Sequence, residues 1–398
     1  MAIWKQGSWL FETVKDAARW TLDRAYSCKP MVQNRVVFSN FAGKGYGGNP
    51  KYVAEALRGK GLDLVWLLNY DRTTDLPEGV RSVRYDSVEA WEALQTAKVV
   101  VNNVRYLHGY KKRKNQLYIQ TWHGYLWTKR VEKDVEELLN PDYLHDAQVD
   151  GARTDIMFAG GDIDAAAYKR AFWYRGPVVR CGMPRMAPVM NPPAGLRERV
   201  CRRLGVDPDK RLVLFAPTFR DWDKTYYPPF DPLALTAQVD ARFGGHHVIV
   251  GRLHPNTAAL MDFGGASGMV DACSYPDVQE LISAADVVIT DYSSVCIDAM
   301  LGGKPVFLYA PDLERYLATP RKPYADIREA PFPLVTTEGD LRAAIAGFDL
   351  DQMRRRYAAF KRKFGYCEDG RGAEVVAGLV MDVIGGENVK EAVERYAS

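Results

Sequence analysis

The chain has 398 residues, a length that favours two domains over one ordinary core. Hydrophobic residues make up 47% of it, which excludes a largely disordered protein, and a net charge of +3 gives no basis for general nucleic-acid binding. No apolar run approaches the roughly 20 residues that span a bilayer, so we expect any membrane contact to be peripheral.

Three segments have the composition of a membrane-surface contact. Segment 1–30 combines tryptophans and basic residues with an apolar helical stripe, so it either lies on anionic lipid or packs on the protein's own core. Basic clusters at 111–114 and 354–363 suit an anionic membrane or a phosphate-rich acceptor, but such runs also form ordinary solvated faces. With no signal peptide, we expect a cytoplasmic protein, peripheral on the inner face of the cell membrane.

The first half alternates short apolar runs with helical patterns, as a parallel sheet requires. Its strands are predicted at residues 35–38, 64–68, 80–84, 98–103, 118–122, 155–158 and 178–179. The first strand enters a loop with four glycines and Lys44, which permits close approach of a ligand but is not a Walker loop. The fifth strand stops at His123, beside Trp122 and Lys129. A histidine at such a strand end is either structural or functional.

The boundary between the two halves is predicted at residues 183–195. This stretch has four prolines and no periodic pattern, as is typical of an interdomain linker. We therefore expect two Rossmann-like domains, at 31–182 and 196–372. A final helix, within 373–398, is expected to pack back across both of them.

Polar side chains follow three predicted strands of the second half. The strands lie at 212–215, 247–250 and 287–290, and the side chains are Arg220, Arg252, His254, Ser293 and Ser294. Because the carboxyl ends of parallel strands meet at one edge of a sheet, we expect these groups to converge on a crevice. Arginine forks and a helix N-terminus would neutralise a diphosphate there without a metal. The alternative is that a serine only caps the helix.

The sequence does not predict a metal site. The Asp-x-Asp pattern at Asp162 and Asp164 recurs three times elsewhere in the chain, so it carries little information. Asp162 is better interpreted as the cap of the following helix. The six cysteines show no metal-ligand spacing.

A set of motifs occurs in a fixed order between about residues 35 and 385. They are Gly43-Lys-Gly-Tyr-Gly-Gly-Asn-Pro, Gln120-Thr-Trp-His-Gly-Tyr-Leu, Gly182-Met-Pro-Arg, Ala216-Pro-Thr-Phe-Arg, Arg252-Leu-His-Pro, Thr290-Asp-Tyr-Ser-Ser-Val and Gly303-Lys-Pro-Val-Phe-Leu-Tyr. Together they resemble the CDP-glycerol glycerophosphotransferase family of teichoic-acid and capsule polymer enzymes. The resemblance implies an α/β, GT-B-like fold, in which two Rossmann-like domains with parallel sheets face an interdomain cleft.

The resemblance also implies a reaction. An alditol phosphate would pass from a CDP-alditol, such as CDP-glycerol or CDP-ribitol, to a hydroxyl of a lipid-linked or saccharide acceptor, releasing CMP. Glycerol phosphate is the first expectation for the transferred group. No cofactor is implied, and a need for a divalent metal stays open. The chain departs from the family at Tyr125, where threonine is common, and in the late position of Lys129.

The resemblance assigns roles to particular residues. His123, in the N-terminal acceptor domain, would be the base or acceptor-orienting group, with His254 as a second catalytic candidate. The acceptor side would include Lys44, Trp122 and Lys129. The C-terminal domain would hold the CDP donor through a larger set: Arg220, Arg252, His254, Ser293 and Ser294 at the diphosphate, and Asp298 at the ribose.

Two other functions fit the same features. A nucleotide-sugar glycosyltransferase could share the fold, since fold alone does not determine chemistry. A non-catalytic, membrane-associated subunit of a polymer-assembly machine would account for segment 1–30 and the basic clusters. Release of CMP distinguishes the first prediction from both alternatives.

Overall fold

The computed structural model describes residues 21, 24–69, 76–105, 107, 110–220, 222–223, 226–253, 268–319 and 322–398. Most of the predicted segment 1–30, and His254, lie outside these ranges. The described residues form two parallel sheets joined by helices, which confirms the predicted α/β, GT-B-like architecture. None of their helices combines the length and the apolar character that crossing a membrane requires.

The first sheet has seven parallel strands in the order β3-β2-β1-β4-β5-β6-β7. They are β1 Val32–Ser39, β2 Asp63–Leu68, β3 Val80–Arg84, β4 Ala97–Asn102, β5 Leu117–Gln120, β6 Ile156–Ala159 and β7 Val178–Arg180. The helices between them are α1 Gly48–Leu57, α2 Val88–Thr96, α3 Pro141–Arg153 and α4 Asp162–Ala171, with a 3₁₀ helix at Glu132–Leu138. Strand β4 is buried along its whole length because helices cover both faces of the sheet, which suits its valine-rich sequence.

The predicted linker is compact rather than extended. A 3₁₀ turn at Pro184–Met186 runs directly into α5, Ala187–Met190. Each has a proline in its first turn, where the missing N–H costs no hydrogen bond. Met183 and Val189 are buried in the core of the second half. The exact domain boundaries stay a prediction.

The second sheet has six parallel strands in the order β10-β9-β8-β11-β12-β13, which repeats the topology of the first six strands of the other sheet. They are β8 Arg211–Phe215, β9 His247–Gly251, β10 Met269–Asp271, β11 Val287–Thr290, β12 Val306–Tyr309 and β13 Leu334–Val335. The helices are α6 Leu196–Leu204, α7 Pro232–Phe243, α8 Val278–Ala284, α9 Val295–Leu301, α10 Leu313–Leu317, α11 Glu338–Ala346 and α12 Leu350–Phe364, with a 3₁₀ turn at Ile327–Glu329.

The chain finally returns to the first sheet. Helix α12 buries Tyr357 and Phe360 in the core of the second half. The next helix, α13 at Gly372–Ile384, buries Leu379 and Val380 against strands of the first sheet. One terminal helix was expected, but Gly385 ends α13 and a separate α14 spans Val389–Ala397. Residues 365–371, which join α12 to α13, therefore cross between the two halves.

Candidate active site

The candidate site lies where the carboxyl ends of the two sheets meet. On one side, β5 ends at Gln120 and leads to His123-Gly124; on the other, β11 ends at Thr290 and leads to Ser293-Ser294. The two loops touch, because a Cβ placed on Gly124 would lie only 3.0 Å from the Oγ of Ser294. Residues predicted from separate halves of the sequence are thus neighbours across one cleft.

The imidazole of His123 is oriented by the backbone. Its Nδ1 lies 2.7 Å from the carbonyl oxygen of Asn103, the residue after β4, so Nδ1 carries the proton and donates it. Nε2 is then a hydrogen-bond acceptor. Burial, together with the positive charges of Arg185 and Arg105, lowers the pKa of His123 to about 4. The ring is therefore neutral at physiological pH, with a lone pair on Nε2.

Two aromatic rings flank this imidazole. The centroid of Trp122 lies 4.0 Å from that of His123, and the centroid of Phe41 lies 5.1 Å away. Both residues have left-handed backbone, with φ of +52° at Trp122 and +44° at Phe41, a conformation that costs about 1–3 kcal/mol each. The side-chain oxygen of Asn103 holds Phe41 by accepting its N–H at 2.9 Å. Phe41 is 40% exposed and is thus an apolar surface beside the histidine.

A buried arginine supports Trp122 from behind. Arg105 pairs with Glu132 at 3.0 Å and with Asp150 at 2.9 Å, and none of the three side chains reaches solvent appreciably. Its guanidinium carbon lies 5.5 Å from the centroid of Trp122. Gln120 joins the network, since its amide donates to Asp150 and its oxygen accepts the N–H of Trp122. This network fixes the strained turn that precedes His123.

The two serines differ in their hydrogen bonds. The Oγ of Ser293 accepts the N–H of Val295 at 3.3 Å, a long helix-capping contact. Ser294 is the residue before α9, yet its side chain makes no capping hydrogen bond. Both serines are half-buried. The capping alternative therefore describes Ser293 only, and the hydroxyl of Ser294 lies at the contact between the two loops.

Arg220, predicted to contact the diphosphate, is buried and paired with carboxylates of the protein itself. It is 1% exposed, and its guanidinium donates to Asp291 at 2.7 Å, to Asp312 at 2.6 Å and to the carbonyl of Thr218. Removing it from these partners would leave two carboxylates buried without a counter-charge. Arg220 therefore supports the loop that begins at Asp291, and a direct diphosphate contact is not supported.

Asp298, predicted to contact the ribose, is also engaged within the protein. It is 1% exposed, and its two oxygens accept hydrogen bonds from Arg185 at 2.7 Å and from Gln279 at 3.3 Å. Burial raises the pKa of Asp298 to about 6, although Arg185 opposes that shift. Both oxygens are engaged within the protein, so the predicted ribose contact is not supported.

Three other predicted residues are nearer to solvent. Arg252 follows β9, is half-buried, and donates through Nη1 to the carbonyls of Ala272 and Tyr275. Lys44 is exposed on the glycine-rich loop and Lys129 is half-buried. These positions are compatible with ligand contacts, which remain predictions.

Tyr125, where the chain departs from the family, has a specific partner. Its hydroxyl donates to Glu368, in the segment that crosses between the halves. Glu368 also accepts the N–H of Met183 at 2.6 Å, and burial raises the pKa of this carboxyl to about 8. The tyrosine thus connects the histidine loop to the crossing segment.

Sequence reasoning missed Asn103 and Arg185. Asn103 could have been suspected from its position at the end of β4, next to a second asparagine. Arg185 belongs to the Gly182-Met-Pro-Arg motif, but nothing local in the sequence indicates which groups its guanidinium contacts. Within the described ranges, no three His, Cys, Asp or Glu side chains are grouped so as to hold a metal ion.

Comparisons with known proteins agree with this architecture. A family model described as CDP-Glycerol:Poly(glycerophosphate) glycerophosphotransferase matches residues 21–382. The chain is 29% identical over 367 residues to the teichoic acid poly(glycerol phosphate) polymerase of Bacillus subtilis (strain 168), covering 88% of this chain and 49% of that one. It is 26% identical over 364 residues to the teichoic acid glycerol-phosphate transferase of Staphylococcus aureus (strain NCTC 8325 / PS 47), covering 86% and 91%.

A solved structure shares the fold. The wall teichoic acid polymerase TagF, in a variant soaked with CDPG, superposes with a TM-score of 0.81 at 26% identity, covering 93% of this chain and 94% of that chain. The chain spans about half the length of two curated polymerases that it matches, 49% and 51%. Because the family model covers most of the sequence, the chain belongs to the CDP-glycerol:poly(glycerophosphate) glycerophosphotransferase family.

Proposed function

We propose that this protein transfers an alditol phosphate, most simply glycerol phosphate, from a CDP-alditol to an acceptor hydroxyl and releases CMP. The observation that carries the proposal is the neutral imidazole of His123, whose Nδ1 is fixed on the carbonyl of Asn103 across the cleft from Ser294. A base held in one tautomer opposite a hydroxyl-lined loop is what hydroxyl attack on a bound phosphate requires.

The reaction follows from this arrangement. The acceptor hydroxyl gives its proton to Nε2 of His123 while its oxygen bonds to the phosphorus that carries the alditol. The bond from that phosphorus to the bridging oxygen breaks, and CMP leaves with the bridging oxygen. A positioned base contributes about 10²–10⁴ in rate, and the remaining acceleration comes from alignment and charge neutralisation.

The donor is proposed to lie on the C-terminal side of the cleft. Ser293 and Ser294 supply two hydroxyls after β11, and Arg252 supplies a guanidinium after β9; these two strands flank β8. His254 follows Arg252 by two positions and stays a candidate from the sequence. Arginine forks and hydroxyl donors suit the oxygens of a diphosphate.

The acceptor is proposed to approach from the His123 side. Phe41, Trp122 and Lys44 lie on that side, and a lipid-linked or saccharide acceptor that ends in a hydroxyl would meet the imidazole there. An anionic membrane surface is proposed as the place of reaction because the clusters 111–114 and 354–363 are basic. Teichoic-acid or capsule-like polymer synthesis is the process that this chemistry would serve.

A donor panel tests the proposal. The protein is incubated with CDP-glycerol, CDP-ribitol, UDP-sugars and GDP-sugars, each with a synthetic lipid acceptor that ends in glycerol phosphate. We expect acceptor-dependent CMP release from a CDP-alditol. A separate arm with a chelator measures whether this release needs a divalent metal. Release of UDP or GDP would favour a glycosyltransferase, and liposome binding without nucleotide release would favour a non-catalytic subunit.

A further inference from the structure

One buried arginine connects both walls of the cleft. Arg185 lies in the 3₁₀ turn between the two halves and is 5% exposed. Its Nη1 donates to the backbone carbonyl of His123, and its Nη2 donates to Asp298 in α9 at 2.7 Å. A single guanidinium therefore joins the loop that carries the imidazole to the helix that follows the serines.

The same residue also acts through Asn49. The backbone N–H of Arg185 donates to the side-chain oxygen of Asn49 at 3.0 Å, and the Asn49 amide donates to the carbonyls of Thr121 at 3.0 Å and Trp122 at 2.9 Å. Three consecutive carbonyls, from Thr121 to His123, are thus held by the side chains of two buried residues, and the backbone N–H of one of these residues donates to the side chain of the other.

The loop that carries His123 and the loop that carries Ser294 lie close together. The loop residue after His123 lies close to Ser294, because a side chain added at Gly124 would bring its Cβ to 3.0 Å from the Oγ of Ser294. Release of the His123 carbonyl would let this loop turn about its glycine, because no other hydrogen bond of the described residues holds that carbonyl. The imidazole would then move relative to the serine loop.

We propose that Arg185 is a positioning residue, which sets the distance between the imidazole of His123 and the loop of Ser293 and Ser294. It does not touch substrate. Its guanidinium forks between a carbonyl and a carboxylate, a geometry that the single ammonium of lysine does not reproduce. This inference rests on the proposed function, since it concerns the alignment of the same base with the same donor.

The test uses Arg185→Lys with a matched control, Arg197→Lys. Arg197 also joins backbone carbonyls to a carboxylate, because its Nη1 donates to the carbonyl of Ala284 at 2.6 Å and to Asp286 at 3.1 Å and its Nη2 donates to the carbonyl of Lys210 at 2.6 Å, but it lies at the amino ends of strands in the second sheet. For Arg185→Lys we expect kcat for CMP release to fall about 10- to 100-fold, a misplacement effect, while KM for the donor stays within about 3-fold. The control should match wild type in both.

A second variant removes both charges at once. Arg185→Met with Asp298→Leu leaves no unpaired buried charge, so the fold is expected to persist while the carbonyl of His123 is released. The same loss of kcat is expected. Because one of the two cations that lower the pKa of His123 is absent and Arg105 remains, the acid limb of kcat should also move to higher pH.

The experiment distinguishes failure of the positioning role from failure of the proposed function. Folded variants with kcat within about 3-fold of wild type, or with a larger change in donor KM than in kcat, would overturn the positioning role. Loss of the fold in both variants would assign the pair to stability and overturn it as well. Absence of CMP release from wild type with every donor would instead reject the proposed function.

Discussion

The two walls of the cleft are built differently. The histidine loop is held from three sides, by Asn103 at the ring, by Arg185 at the carbonyl and by Arg105 behind Trp122. The serine loop is held mainly through the two residues before the serines: the carboxylate of Asp291 pairs with Arg220 and accepts the N–H of Thr218 at 2.7 Å, and the hydroxyl of Tyr292 donates to Asp312 at 3.0 Å. The Ser294 hydroxyl makes no capping bond.

This difference indicates which side of the cleft would form hydrogen bonds with the substrate. A base must be oriented before reaction, so its hydrogen bonds are made within the protein. Hydroxyls that bind the donor must be free to form hydrogen bonds with it, since the oxygens of a bound diphosphate would be their partners. We therefore expect the His123 side to be preorganised and the Ser294 side to form its contacts when the donor binds.

Substitution of His123 should give the largest effect, a loss of turnover caused on the acceptor side of the cleft. His123→Ala removes the base, so kcat should fall by about 10²–10⁴. Donor affinity should remain nearly unchanged because the imidazole contacts the acceptor. Steady-state CMP release and calorimetric titration with CDP-glycerol measure the two quantities, and a parallel loss of donor affinity would argue against the base assignment.

Arg220→Met should damage the donor side through stability. Asp291 and Asp312 would lose their buried counter-charge, at a cost of about 3–5 kcal/mol in the free energy of unfolding. Denaturant unfolding measures this, with the exposed Arg354→Met as a control that should change stability by less than about 0.5 kcal/mol. A stable Arg220→Met protein that has lost only donor affinity would instead support a direct contact between Arg220 and the donor.

Acid should weaken the fold partly through His123. Its folded-state pKa, about 4, lies below the value near 6.5 expected in the unfolded chain, so protonation favours unfolding. The stability associated with the neutral ring is fully present above pH 6.5 and decreases as the pH falls, and the loss reaches about 3 kcal/mol at pH 4. Unfolding of wild type and His123→Ala at pH 7 and pH 4.5 isolates it; equal losses of stability in both proteins would contradict it.

Ser294→Ala should give the smallest effect. Loss of one hydroxyl contact to a charged diphosphate should weaken donor binding about 10-fold, with kcat little changed. Calorimetric titration with CDP-glycerol measures this. Ser87→Ala, which removes a helix cap on the first sheet, is the control and should leave donor affinity unaltered. If Ser294→Ala binds CDP-glycerol with unchanged affinity, the donor must be held by Arg252 and its neighbours instead.

Local patterns in the sequence predicted the framework well. Short β-branched runs followed by polar residues located the strands, and the position of His123 and Ser294 at strand ends brought them to one cleft. These inferences succeed because burial of both faces of a parallel sheet imposes a regular apolar pattern on each strand. The ends of parallel strands then meet by topology alone.

Partner choice at long range was not predictable. Arg220 looked like a ligand-binding loop residue, but its partners lie 71 and 92 positions away in the chain. Arg185 forks between groups 62 and 113 positions away. Whether an arginine meets a ligand or a buried carboxylate depends on tertiary packing, which no periodicity records.

The most direct test of the central claim follows both products of one reaction. CMP release and incorporation of glycerol phosphate into the acceptor are measured together for wild type and His123→Ala at saturating CDP-glycerol. We expect one CMP per glycerol phosphate transferred in wild type, and loss of both products together in the variant. Transfer by the variant at the wild-type rate, or CMP release without any transfer in wild type, would contradict it.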